Sequence, residues 1–180
     1  MAFLEAASED VYKDQDSGSW SPYQLAEPLL TAWAVEQAQG VIDNGGFQYF
    51  FENDWPQNPE YAVFTDAFRR IGAAEAADCI QDAVSMFSSS APHLDCDMRR
   101  EHMDLLREKE GVEESVIDKL GFRVMDLGGD TMMRLATYVR THIDVFPTAK
   151  KNAEPVASPN GGPAAPSGNS AVSEGPPSVS

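Results

Sequence analysis

His93, Cys96 and His102 carry the nitrogen and sulfur donors that bind zinc, and Asp95 or Asp97 could complete such a set. Their spacing lacks the paired close ligands of zinc motifs, so they are expected to be ordinary loop and helix-surface residues. The stretch "VIDNGGFQYFFEND", residues 41–54, offers a second chemistry, a glycine turn whose amides could cradle a phosphate. It lacks the third glycine, the following lysine and the preceding strand of phosphate loops, and Asp43 and Glu52 would repel the anion. Carboxylate pairs such as Glu113 with Glu114 point in different directions on a helix, whereas hydrolytic pairs face each other across a pocket. G-x-S-x-G, H-E-x-x-H and dinucleotide-binding patterns are all missing, so the chain is expected to be no enzyme and to need no cofactor or metal.

The remaining chemistry is charge. The 180 residues include 13 Lys and Arg against 29 Asp and Glu, a formal net charge of -16. Such a field repels nucleic acids and anionic membranes and attracts basic partners. The N-terminus lacks a basic region followed by an apolar run, and no stretch reaches the roughly 20 apolar residues of a membrane span. A cytoplasmic protein with reduced Cys79 and Cys96 is therefore expected.

The elements that must position these charges read as helices almost throughout. Leu25, Leu29, Ala32 and Trp33 share one helical face, which Pro28 can enter in its first turn. Gly45 and Gly46 are expected to end that helix, so that Phe47, Phe50 and Phe51 fold back against it. Further helices are expected from Pro59 to Gly72, over "AAEAADCIQDAVSMF", over "MRREHMDLLRE" with Asp97 as its cap, and around Val116–Leu127, stopped by Gly128 and Gly129. Asp130 is expected to cap the last, in which Met132, Ala136, Val139, Ile143 and Phe146 form one stripe of core or interface. The fold class is all-α, a single compact domain of about six or seven helices.

Three regions follow. Residues 1–20 form an acidic segment free to fray, residues 21–147 the helical domain, and residues 148–180 a Pro/Gly/Ala/Ser-rich tail expected to be disordered. Lys150, Lys151, Glu154 and Glu174 fall in the tail, which leaves 11 basic and 27 acidic residues on the body, with a radius of gyration of about 15 Å.

Glu36 with Asn44, Gly45, Gly46, Phe47, Gln48, Tyr49, Phe50 and Asn53, then Ile71, Gly72 and Ala73, and a distal "YVRTHIDVF", resemble the DNA mimic protein nineteen family of bacterial all-helical domains over roughly residues 25–146. That resemblance implies surface carboxylates that imitate DNA phosphates and occupy the DNA-binding face of a basic transcriptional regulator, often as a homodimer. The motif residues are mostly turn and core positions, so the carboxylates must be found separately. Three clusters are candidates: Glu108, Glu110, Glu113, Glu114 and Asp118; Asp95, Asp97, Glu101 and Asp104; and Glu52, Asp54 and Glu60. Arg99, Arg100, Arg107 and Lys109 lie among the first two and would dilute their field. Trp20, Trp33 and Trp55 are expected to pack, although Trp55 sits in a loop and could instead be an exposed contact. The alternatives are an immunity-type inhibitor of a basic toxin, whose apolar centre could include Trp55, and a helical domain whose acidity serves solubility only.

Overall fold

The computed structural model describes residues 2–12, 20–111 and 115–153, and all regular structure there is helical. Eight α-helices follow in order: α1 Ala2–Tyr12, α2 Leu29–Glu52, α3 Tyr61–Arg70, α4 Ala74–Ser85, α5 Cys96–Glu110, α6 Val116–Asp126, α7 Gly128–Thr141 and α8 Pro147–Ala153. Short 3-10 turns cover Pro22–Gln24, Pro92–Leu94 and Ile143–Val145. Helix α2 is the hub, packed against α1, α3, α5, α6 and α7.

The core is aromatic. Trp33, Phe47, Phe50, Phe51, Trp55, Tyr61, Phe64 and Phe87 are buried, with ring centroids 4.8 Å apart for Trp55 and Phe64 and 4.9 Å apart for Phe51 and Phe87. Large, stiff rings bury much surface for few lost rotamers and meet at angles that favour their quadrupoles. No helix of the described residues is long and apolar enough to cross a membrane.

The glycine pair interrupts its helix as expected, two helical stretches meeting there at a kink within Leu29–Glu52. Gly45 and Gly46 sit inside α2 as a kink, Gly45 with extended φ of -163° and Gly46 at φ 62°, ψ -158°, a region open essentially to glycine alone. Helix α6 leans on this break: a Cβ on Gly121 would stand 2.9 Å from the Phe47 amide nitrogen. Another helix thus approaches the backbone closely beside the kink, which local sequence does not reveal.

Other boundaries also shift. Leu25 precedes α2, which begins at Leu29, and still packs on the core. Gly72 does terminate α3, at φ 84°, with the Ala73 amide bonded to the Phe68 carbonyl at 2.9 Å, a Schellman closure. Gly128 and Gly129 open α7 rather than stopping α6, and Asp130 lies in the first turn of α7, bonded to Arg134 at 2.6 Å. A Cβ on Gly128 would lie 2.9 Å from Gln39 Nε2, so this glycine serves a close approach to α2.

The two ends of the described chain are helical where fraying and disorder were expected. Ala6, Ala7 and Val11 of α1 are buried, and α1 packs against α8. Both Asp10 carboxylate oxygens accept from Thr148 N, at 3.1 and 3.0 Å, and Oδ2 accepts from Ala149 N at 3.3 Å. A side chain 138 positions away thus supplies the cap of α8, moving the end of the helical region from 147 to 153. The rest of the expected tail, from 154, lies outside the described residues.

Candidate functional site

Helix α5 carries five of the twelve candidate carboxylates, with Asp95 just before it, and its inward face fixes how they are presented. Asp95, not Asp97, is its cap, accepting from Met98 N at 2.9 Å. The Cys96 thiol donates to the Glu52 carbonyl at 3.4 Å. Arg99 is buried, 1% exposed, and its guanidinium donates to four main-chain carbonyls: Phe51 at 2.5 Å, Pro92 and His93 at 2.9 Å, and Asn53 at 3.2 Å. These include carbonyls at the C-terminal end of α2, where helices leave acceptors unpaired and favour a cation. One turn from the end of α5, Arg107 forks onto the carboxylate of Asp118 at 2.8 and 3.2 Å and also bonds Gln48.

Two expectations change as a result. Arg99 and Arg107 were placed among the acidic clusters as diluting charges, yet both turn inward to hold the helix. The burial of Arg99 was readable in part, since Arg99, Met103 and Leu106 recur at helical spacing on an otherwise polar segment, whereas Arg107 is half-buried. Asp118 is buried, 5% exposed, ion-paired with Arg107 and bonded to Ser115 Oγ at 2.7 Å, so it is a structural carboxylate and not part of an exposed surface.

The outer face is different. Asp97, Glu101, Asp104 and Glu108 follow at steps of four, three and four and are all exposed. On a helix they fall in one row about 16 Å long. Asp97 lies 3.6 Å from Arg100, while Glu101, Asp104 and Glu108 form no ion pair with any described residue. Many carboxylates elsewhere are matched: Glu27 with Arg70, Glu75 with Arg123, Asp78 with Arg69, Asp130 with Arg134 and Asp144 with Lys150. Lys150 holds the Asp144 carboxyl below its ordinary value.

Near the α5 N-terminus, exposed Asp54 stands 3.7 Å from Arg99, and the Glu52 carbonyl accepts from Cys96, so two of the sequence clusters meet there. Glu110 accepts from Val116 N at 3.1 Å and helps start α6. Glu60 is exposed immediately before α3, its amide donating to Tyr23 Oη at 3.2 Å. Glu113 and Glu114 lie outside the described residues.

Several motif residues make contacts within the helical framework, while Asn44 and Tyr49 are exposed. Asn44 donates to the Gly40 carbonyl at 2.7 Å, Gln48 receives Arg107, and the Asn53 amide closes α2 onto Tyr49. Phe47 and Phe50 are fully buried. Glu36 accepts from Ser8 Oγ on α1, and burial raises its pKa above the ordinary carboxyl value, partly offset by that bond. His93, Cys96 and His102 do not converge: His102 packs on Phe87, ring centroids 4.7 Å apart, and burial lowers its pKa. Among the described residues no group of three His, Cys, Asp or Glu side chains is placed to hold a metal ion. Trp55 packs in the core as expected, 4% exposed, and donates its Nε1 hydrogen to the Phe50 carbonyl at 3.1 Å, so it offers no exposed contact to the inhibitor alternative.

A family model described as DMP19-like protein matches residues 23–142. The chain belongs to that family. The match spans α2 to α7, the kinked hub and the acidic helix included, and leaves out α1 and α8. Neither the curated proteins nor the solved structures contain a match.

Proposed function

We propose that this DMP19-like protein is an acidic protein-binding domain that occupies the DNA-binding surface of a basic partner, such as a transcriptional regulator. The observation that carries the reading is the row Asp97, Glu101, Asp104 and Glu108 on a helix of whose four basic residues Arg99 and Arg107 turn inward, while Arg100 and Lys109 stay exposed. Successive carboxylates advance about 4.5–6 Å along the axis, the same scale as the about 3.4 Å advance per phosphate of one DNA strand. A rigid row of this kind can meet Lys and Arg side chains that otherwise neutralise a backbone. The reading needs no catalytic group and no cofactor, and it places the protein in the cytoplasm with its partner. The homodimer implied by the family resemblance belongs to the same proposal.

The test compares the full chain with an E101Q/D104N/E108Q variant in a pull-down eluted by a salt ramp, with and without excess duplex DNA. The expected partner is a DNA-binding protein that salt elutes, DNA displaces and the variant no longer retains. A partner held equally by the variant, or one that binds DNA alongside the chain, would refute the proposal. Light scattering of the same sample reads the oligomeric state.

A further inference from the structure

A cavity of about 350 Å³ opens between the C-terminal end of α3 and the outer face of α7, with Arg70 and Ile71 on one wall and Met133, Arg134 and Tyr138 on the other. We propose that it is a binding site for a small phosphomonoester-type dianion, gripped by Arg70 and Arg134, with the ligand's apolar part on Ile71 and Met133. Two arginines converging on one cavity stand out in a chain of net charge -16.

Each guanidinium is anchored by one nitrogen. Arg70 Nη1 donates to Glu27 Oε1 and Thr31 Oγ1, both at 2.7 Å, and Arg134 Nε donates to Asp130 Oδ2 at 2.6 Å. Nε and Nη2 of Arg70, and Nη1 and Nη2 of Arg134, bond no described residue. The side chains are therefore held while donors are left over, which reduces the ordering cost of binding an anion. Gly72 makes room: a Cβ there would stand 3.2 Å from Arg134 Nη1.

Donors approaching from two walls suit a tetrahedral phosphate, whereas a planar carboxylate is satisfied by one fork. Exposed Met133 adds an apolar lip for the ester group. Glu27 and Asp130 balance the two cations, so the expected affinity is modest, with Kd about millimolar.

The test titrates the full chain with inorganic phosphate and with phenyl phosphate at constant ionic strength, chloride as background, followed by amide NMR. Saturable shifts around residues 70–72 and 133–138 are expected, with phenyl phosphate the tighter probe. R134Q, which alters an exposed side chain, should raise Kd about tenfold, and R134K should fall between. R123Q, which removes an arginine outside the cavity, should leave Kd unchanged. Shifts that never saturate, an R134Q Kd equal to wild type, or an equal loss in R123Q would overturn the assignment.

Discussion

Replacing Arg99 by methionine keeps most of the buried alkyl volume and removes the guanidinium that four main-chain carbonyls share. A hydrogen bond to a charged group contributes about 1.5–3 kcal/mol. Four bonds to one group do not add, and losing the cation also lifts the cost of burying it, so the expected net loss is about 3–5 kcal/mol. Against a total of about 5–15 kcal/mol that is a large fraction. R99K keeps the charge, but a single ammonium cannot span both the end of α2 and the Pro92–His93 turn, so it should recover only part. Urea unfolding of R99M, R99K and the exposed-site control R100A reads these differences. A cost for R99M below about 1 kcal/mol, or no greater than that of R100A, would mean that the guanidinium does not hold the α2–α5 junction. The outcome bears on function, because the same junction fixes the acidic row of α5.

Three more outcomes are expected. G46A should cost about 1–3 kcal/mol although nothing lies within 4 Å of the new Cβ, because φ 62° with ψ -158° admits only glycine, whereas G40A, helical and equally open, should gain about 0.5–1 kcal/mol in the same thermal melts. D10A removes the carboxylate that caps Thr148 and Ala149 and should cost about 1 kcal/mol, with faster hydrogen exchange confined mainly to α8 and α1. Burial raises the Glu36 pKa, so the folded state binds its proton more tightly; that contribution is full below the unfolded value of about 4.3 and is lost as pH rises through the folded value. E36Q lacks the loss, so its stability relative to wild type should climb as pH rises above the unfolded value in parallel denaturation series; a flat difference would refute the assignment.

Much of the fold was legible because helical periodicity is a local property. The apolar positions of α3, α4, α6 and α7 recur at three- and four-residue steps, and Gly72 closes α3 through its own φ. What misled were residues whose role is set by a distant neighbour. Gly128 reads as a stop, yet it opens α7 and admits Gln39, and the break at Gly45 and Gly46 has a second role in that α6 approaches beside it. Helix α8 has no apolar stripe to announce it and exists beside α1 with Asp10 as its cap. Trp55, a large ring expected to pack even from a loop, does so, and its indole completes the aromatic core.

The sequence by itself determined the all-helical class, the charge of -16 and the family motif, since each follows from composition or from spacing along the chain. Only the tertiary structure decided which charges face outward. Arg99 and Asp118 bear the same formal charges as the exposed residues beside them, and what buries them is the geometry of the α2, α5 and α6 junction, where unpaired carbonyls and a facing guanidinium make an interior position favourable. On the outer face of α5 the exposed Asp97, Glu101, Asp104 and Glu108 line up as a row.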